Sequence, residues 1–275
     1  MARPSIPQEI RAALQGSGFP FQTAVAYVVR TQPSWQVHAS EFPWQDPAGN
    51  GQFLDLVATT TIHDTKVFLA IECKKTQKDM LNFLRPLGAC NTGKLLDVRC
   101  LRAQIRACEV QPIQVFCETW NVVPASFEAE FCVVSTSPTG RDQRLLERDA
   151  ALVVRATDAF VRDFWHRRPP VDVSSCFFLP VIVTNAPIYT SRYRADQVSL
   201  DTGEFTALPT DIEQVEMMRF RKAFHADRGR DLGDRSVLVV DSRKLAEFLE
   251  LIQLDPQQPS DHLGIPAPQR RFDHT

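Results

Sequence analysis

Two runs rich in β-branched and aromatic residues, Phe53–Ile62 and Val67–Lys74, are separated only by a short turn at His63-Asp64-Thr65. A connection that short joins antiparallel neighbours, because parallel strands need a crossover of a dozen or more residues. The chain is therefore committed to a sheet containing this hairpin. Each run is also interrupted by charge: Asp55 lies in Phe-Leu-Asp-Leu-Val, and Glu72 and Lys74 lie in Leu-Ala-Ile-Glu-Cys-Lys-Lys.

Residues two apart on a strand share a face. Glu72 and Lys74 thus project together, while Ile71 and Cys73 turn to the other side. The 17-residue separation across one turn lets Asp55 stand beside Glu72 on the neighbouring strand. Three ionisable groups among apolar strand residues are costly to desolvate unless paired or bound to metal. Two adjacent carboxylates repel one another and attract a hard dication, and oxygen ligands of this kind suit Mg2+ or Mn2+. A neighbouring lysine orients or deprotonates a water, or stabilises charge on a phosphate. The plain alternative is a buried ion pair within a sheet.

The surrounding pattern supplies the frame. A helix over Gln8–Leu14, a Gly16-Ser17-Gly18 break and a helix from Phe21 to Arg30 precede a strand at Trp35–Phe42. Pro20 suits the first helical turn. A turn at 46–51 leads into the hairpin. Residues 77–110 read as mainly helical, with breaks at Pro86 and Gly93. Strands are expected at Val115–Val123, Ala129–Ser135, Phe177–Val183 and Ser236–Val240, with a hairpin around Asp201-Thr-Gly-Glu204. Asp142–Trp165 carries apolar residues at helical spacing. Ser242 is placed to cap a last helix through Leu254.

In that order, a helix bearing Gly-Phe-Pro-Phe-Gln22, a strand, a strand with Leu-Asp55 and a strand with Ile-Glu72-Cys-Lys74 resemble the PD-(D/E)xK nuclease superfamily, the restriction-endonuclease-like fold. The resemblance covers about residues 16–80. It implies that Asp55 and Glu72 ligate Mg2+ (or Mn2+) with the main-chain carbonyl of Cys73, and that Lys74 is the catalytic lysine. Many members carry a Glu on the first helix where this chain has Gln22, and the usual Pro before the Asp is Leu54 here. Glu41, near the end of the first strand, is a spare carboxylate for the same role as Gln22.

The fold expected is α/β: a mixed central sheet flanked by helices, formed by a single domain over residues 1–255 with insertions. Its C-terminal part extends the sheet or forms a small subdomain, and residues 256–275 form a polar, Pro-rich tail. The function expected is a Mg2+-dependent endonuclease acting on phosphodiester bonds, foremost in DNA, with bacterial restriction or anti-phage defence suggested by analogy of fold alone. The alternatives are an RNase and a non-catalytic nucleic-acid-binding or sensor module on the same fold. One site cuts one strand, so duplex cleavage implies a homodimer or two binding events.

Net charge is −2, but residues 1–110 carry 12 Lys and Arg against 9 Asp and Glu, so the first part is the more basic. Lys75 and Lys78 follow the site and are candidates for phosphate contact. Arg99, Arg102 and Arg106 fall on one stripe if the segment is helical, which would track a phosphate backbone; an ordinary wet helix face is the simpler reading. Arg219, Arg221, Lys222, Arg228 and Arg230 form a second basic run, interleaved with Phe220 and Phe224, which read as core residues.

The seven cysteines include no C-x-x-C pair, which argues against a structural zinc site. There is no Walker A loop, G-x-G-x-x-G, G-x-S-x-G or H-E-x-x-H motif, so ATP-driven, dinucleotide, serine-hydrolase and zincin chemistries lose their usual support. With no signal-like N-terminus and no long apolar run, the expectation is a reduced, cytoplasmic protein without membrane contact.

Overall fold

The hairpin is the centre of the computed structural model. The structure describes residues 6–46, 48–62, 65–76, 80–87, 95–102, 109–116, 128–134, 145–166, 175–209, 211–225 and 231–252. Helices α1 (Ile6–Gly16) and α2 (Phe19–Thr31) lead into strands β1 (Trp35–Gln45), β2 (Gly51–Ile62) and β3 (Thr65–Lys74), which form an antiparallel meander. Pro20 stands in the first turn of α2, where its missing N–H costs nothing. Val25, Ala26 and Val29 are the buried side of that helix, which the chain leaves at Gln32 in extended geometry.

After β3 come β4 (Leu81–Pro86), β5 (Leu95–Arg102), β6 (Glu109–Phe116), β7 (Glu128–Ala129), β8 (Phe131–Val134) and the long helix α3 (Leu145–His166). Strand β9 (Ser175–Thr184) follows, then β10 (Ile188–Tyr193), β11 (Asp211–Val215), β12 (Met217–His225), β13 (Asp231–Asp241) and α4 (Leu245–Leu251).

Among the described residues nine strands make one mixed sheet whose main path runs β1-β2-β3-β9-β13-β12-β7, with β5 on β9 and β6 on β5. Strand β9 lies parallel to β3 over ten positions, from Thr65↔Ser175 to Lys74↔Thr184, and α3 lies on the chain between them. Residues 176–184 are buried throughout, as expected of a parallel strand covered on both faces. Pro180 breaks the rule that proline avoids central strands, and the topology explains why. On the side away from β3, β9 pairs β5 through Phe178 and β13 from Val181 onward. Pro180, which has no N–H to give, falls in the gap between these two partners.

Apolar residues fill both faces. One cluster, under α3, joins Phe68, Ala70, Phe160 and Phe178 to residues of a second sheet ordered β11-β10-β4-β8, including Phe83 and Ile188. The other, under α2 and α4, joins Leu56, Ile71, Val181 and Val240 to Val29 and Phe248.

Several expectations are corrected. Residues 81–86 and 95–102 are strands, not helix. Leu81 and Phe83 are buried while Asn82 and Leu84 are half-buried, a period of two that the Leu-rich composition concealed. Residues 95–102 form strand β5, so the helical stripe expected of Arg99 and Arg102 is not made, and Arg106 lies outside the described residues. The basic run at 219–230 begins as β12: Arg219 is 3% exposed and ion-paired with Glu128, to which Arg221 also reaches at 3.4 Å. Phe220 is fully buried core, while Arg228 and Arg230 lie outside the described residues. Around Gly203 only a single bridge, Val198↔Phe205, forms in place of a full hairpin. Ser242 does not cap α4: a 3-10 turn at Ser242–Lys244 precedes the helix and is capped by the Asp241 carboxylate, which accepts from the Arg243 N–H, while α4 itself starts after Lys244 without a side-chain cap. The tail at 256–275 lies outside the described residues.

Candidate active site

The β2–β3 ladder ends at the pair Leu56↔Ile71, one residue short of Asp55. There the Asp55 side chain takes over: its Oδ2 accepts the main-chain N–H of Cys73 at 2.7 Å. The carboxylate thereby replaces a backbone acceptor and locks the two strands together at the end of the hairpin. The opposite side of Asp55 is held from α2, where the Gln22 side-chain amide donates to the Asp55 carbonyl at 2.7 Å. Gln22 thus grips the backbone of Asp55.

Glu72 and Lys74 share the face of β3 that carries Phe68 and Ala70, the face under α3. Lys74 Nζ lies 3.0 Å from Glu72 Oε1 and 3.3 Å from Asp149 Oδ1. The Asp149 and Glu72 side chains are 5% and 16% exposed, against 32% for Lys74. Asp149 is the residue that sequence reading missed. It stands on the side of α3 that buries Leu146, Ala150 and Val153, and a lone acid within an apolar helical stripe was the available signal.

Burial raises the carboxyl of Glu72 to about 6, and the nearby Asp55 charge pushes the same way against the pull of Lys74. Asp55 is also raised, by burial first, with Glu41 adding to the effect and the Cys73 N–H and Lys74 opposing it. Asp149 is raised by burial despite Lys74. For Lys74, burial acts to lower the value, but Glu72 and Asp149 outweigh it and the ammonium is held protonated. The Cys73 thiol is pushed far above the ordinary thiol range by burial and packs on the α2 and α4 side, away from Glu72 and Lys74. It is no nucleophile.

Glu41 occupies the register position between Ser40↔Leu56 and Phe42↔Leu54, opposite Asp55. It has φ 52°, which for a non-glycine residue costs of order 1–3 kcal/mol and marks local strain. Among the described residues no three His, Cys, Asp or Glu side chains form a ready-made metal cage.

Of the expected phosphate contacts, Lys75 is turned onto the end of α1, where its ammonium bonds the carbonyl of Gln15 and, at 3.3 Å, that of Ser17. It satisfies carbonyls that a helix end leaves open. Lys78 lies outside the described residues. Beyond Lys75, Asn185 pairs with the backbone of Thr76 in both directions, accepting at 2.6 Å and donating at 2.8 Å, and so fixes the chain as it leaves the site.

The Gln22 contact gives a first test. Gln22→Ala leaves a half-buried carbonyl without its partner and should cost about 1–2 kcal/mol in urea unfolding. Gln22→Glu sets a carboxylate against that carbonyl beside Asp55 and should cost more at pH 8 than Gln22→Ala. Equal stabilities of all three proteins would show that the contact carries nothing.

Comparison with protein-family models, curated proteins and solved structures finds no match to this chain.

Proposed function

We propose that the protein is a metal-dependent phosphodiesterase, an endonuclease of the PD-(D/E)xK type acting foremost on DNA, with Asp55, Glu72 and Lys74 as its site. The observation that carries this reading is their meeting at one end of the β2–β3 hairpin, with Asp55 tied to Cys73 and Lys74 to Glu72. The element order also supports it. Helix α2 and the β1–β2–β3 meander follow the order the resemblance implies.

The donor set fits a hard dication. Asp55 and Glu72 both lose acidity through burial, with a neighbouring carboxylate adding to it (Glu41 for Asp55, Asp55 for Glu72), so the charge they lack is positive. They would hold Mg2+ or Mn2+ together with the main-chain carbonyl of Cys73, and Glu41, register neighbour of Asp55, is a further carboxylate beside them. Such an ion, when bound, acidifies a water and polarises a phosphoryl oxygen. Lys74, kept protonated by Glu72 and Asp149, faces the developing negative charge as an electrostatic stabiliser and not as a base. Asp149 positions it. Among the described residues no helix is long and apolar enough to cross a membrane.

Thermal melts with and without metal test this reading. The folded protein raises the Glu72 carboxyl from 4.5 to about 6. A raised acid binds more protons folded than unfolded, so stability falls as pH climbs through that window. A dication prefers the ionised pair and counters the loss. Millimolar Mg2+ or Mn2+ should therefore raise the melting temperature more at pH 8 than at pH 5. The stabilisation is about 2.7 kcal/mol at 100 times the dissociation constant. Asp55→Asn should abolish the shift; an equal shift in Asp55→Asn would place the metal elsewhere.

A further inference from the structure

Lys74 stands between two acids that reach it from different elements. Glu72 lies two residues before it on β3, and Asp149 comes from α3. The ammonium is 3.0 Å from Glu72 Oε1 and 3.3 Å from Asp149 Oδ1, so it bridges the two carboxylates. Asp149 is the more deeply buried of the two and sits on a helix side anchored by Leu146, Ala150 and Val153. The exposed Arg148 reaches the same Oδ1 oxygen only at 3.9 Å. The resemblance to the nuclease superfamily gives Asp149 no role.

Two cations have a claim on Glu72. The Lys74 ammonium already holds one of its oxygens, and a dication held by Asp55 and Glu72 would take the same carboxylate. Two positive charges a few ångströms apart repel, and the more so away from bulk water. A cation in a partly buried site also needs a partner of its own. Asp149 meets both conditions. Asp55, Glu72 and Asp149 bring three negative charges against the single positive charge of Lys74, and one dication closes the difference. Glu41 and Arg148, both exposed, add one charge of each sign at the rim. Without Asp149, the same ion and ammonium would leave the site with an excess positive charge.

We propose that Asp149 is a positioning residue that takes over Lys74 when Glu72 turns to the metal, so that the ammonium and the dication share the site. The proposal rests on the nuclease reading and adds to it a coupling between metal binding and a helix residue outside the ligand set. Before the ion binds, Lys74 supplies the positive charge that Glu72 needs. Afterwards it leans on Asp149 alone and stays where negative charge develops on the phosphate.

Mn2+ binding to the full chain at pH 8, without nucleic acid, tests this. Electron paramagnetic resonance counts the free ion and needs no turnover. Lys74→Met removes the competing ammonium and keeps the apolar stem, so it should tighten Mn2+ binding about tenfold or more. Asp149→Asn keeps the shape but leaves Lys74 with Glu72 alone, so it should weaken binding about tenfold or more. The two effects should not add: in the Lys74→Met background, Asp149→Asn should weaken binding by at least about threefold less than it does alone. A helix acid that only props the fold, or acts on the ion by its charge alone, would have the same effect in both backgrounds. Melting curves check that each variant folds, and Lys74→Gln serves in place of Lys74→Met if the latter does not. Unchanged or weaker binding in Lys74→Met, unchanged binding in Asp149→Asn, or equal effects of Asp149→Asn in the two backgrounds would overturn the proposal. Mn2+ binding that Asp55→Asn removes but that ignores Lys74 and Asp149 defeats this proposal and keeps the nuclease reading. No Mn2+ binding by the wild type defeats both.

Discussion

Asp55→Ala, Glu72→Ala and Lys74→Ala should each lower the rate of phosphodiester cleavage by about 10³-fold or more, the scale of losing a transition-state electrostatic or proton-transfer group. The three losses should not add, because the groups act as one unit: Asp55 is bonded to Cys73 and Lys74 is held by Glu72. Alanine at Lys74 also strands Glu72 and Asp149 without their shared ammonium, so some loss of stability is expected there. Glu72→Gln separates the two effects. It removes a carboxylate whose ionisation the fold opposes, so in EDTA at pH 8 it should melt at or above the wild type and yet fail to cut. Catalytic groups held at a cost to stability give this pattern. If Glu72→Gln cuts like the wild type, Glu72 is a structural acid and the site is misassigned.

Phe68→Ala should be the most damaging single truncation in the core. Phe68 is fully buried on β3. Its ring stacks on Phe178 at 5.0 Å and meets Phe164 at 4.9 Å, Phe160 at 5.4 Å and His38 at 5.4 Å. Loss of such a ring costs about 3–5 kcal/mol, from transfer and cavity terms together. Domains are stable by about 5–15 kcal/mol, so about a fifth or more of the total is at stake. In urea the midpoint should fall sharply with an unchanged slope. Phe53, 65% exposed on β2, is the control, and Phe53→Ala should stay within about 0.5 kcal/mol of wild type. Equal effects at the two positions would mean that the aromatic cluster under α3 does not hold the sheet.

What the chain disclosed by itself was local. The first two helices and the β1–β2–β3 meander carry strong periodic patterns and short connections, so they were readable within a few residues. Asp55, Glu72 and Lys74 stood out because each breaks an apolar strand. Non-local features were hidden. Strands β4 and β5 carry Leu, Arg and Cys, residues without marked β preference, and their state is set by pairing with β10 and β9 far along the chain. Asp149 lies 75 positions from Lys74 and becomes a partner only when α3 packs on β3. Gln22 was singled out only by the resemblance, and its bond to the Asp55 main-chain carbonyl is not encoded in any motif. Lys75 looked like a free cation until α1 supplied carbonyls for it to cap.

A cleavage panel decides the function most directly: single- and double-stranded DNA and RNA incubated with the full chain in Mg2+, in Mn2+ and in EDTA, beside Lys74→Ala. The expected result is metal-dependent cleavage of DNA that EDTA and Lys74→Ala both remove. Cleavage of RNA alone would reassign the substrate and keep the site. Cleavage that persists in EDTA or in Lys74→Ala, or intact nucleic acid in every lane, would contradict a metal-dependent phosphodiesterase built on Asp55, Glu72 and Lys74.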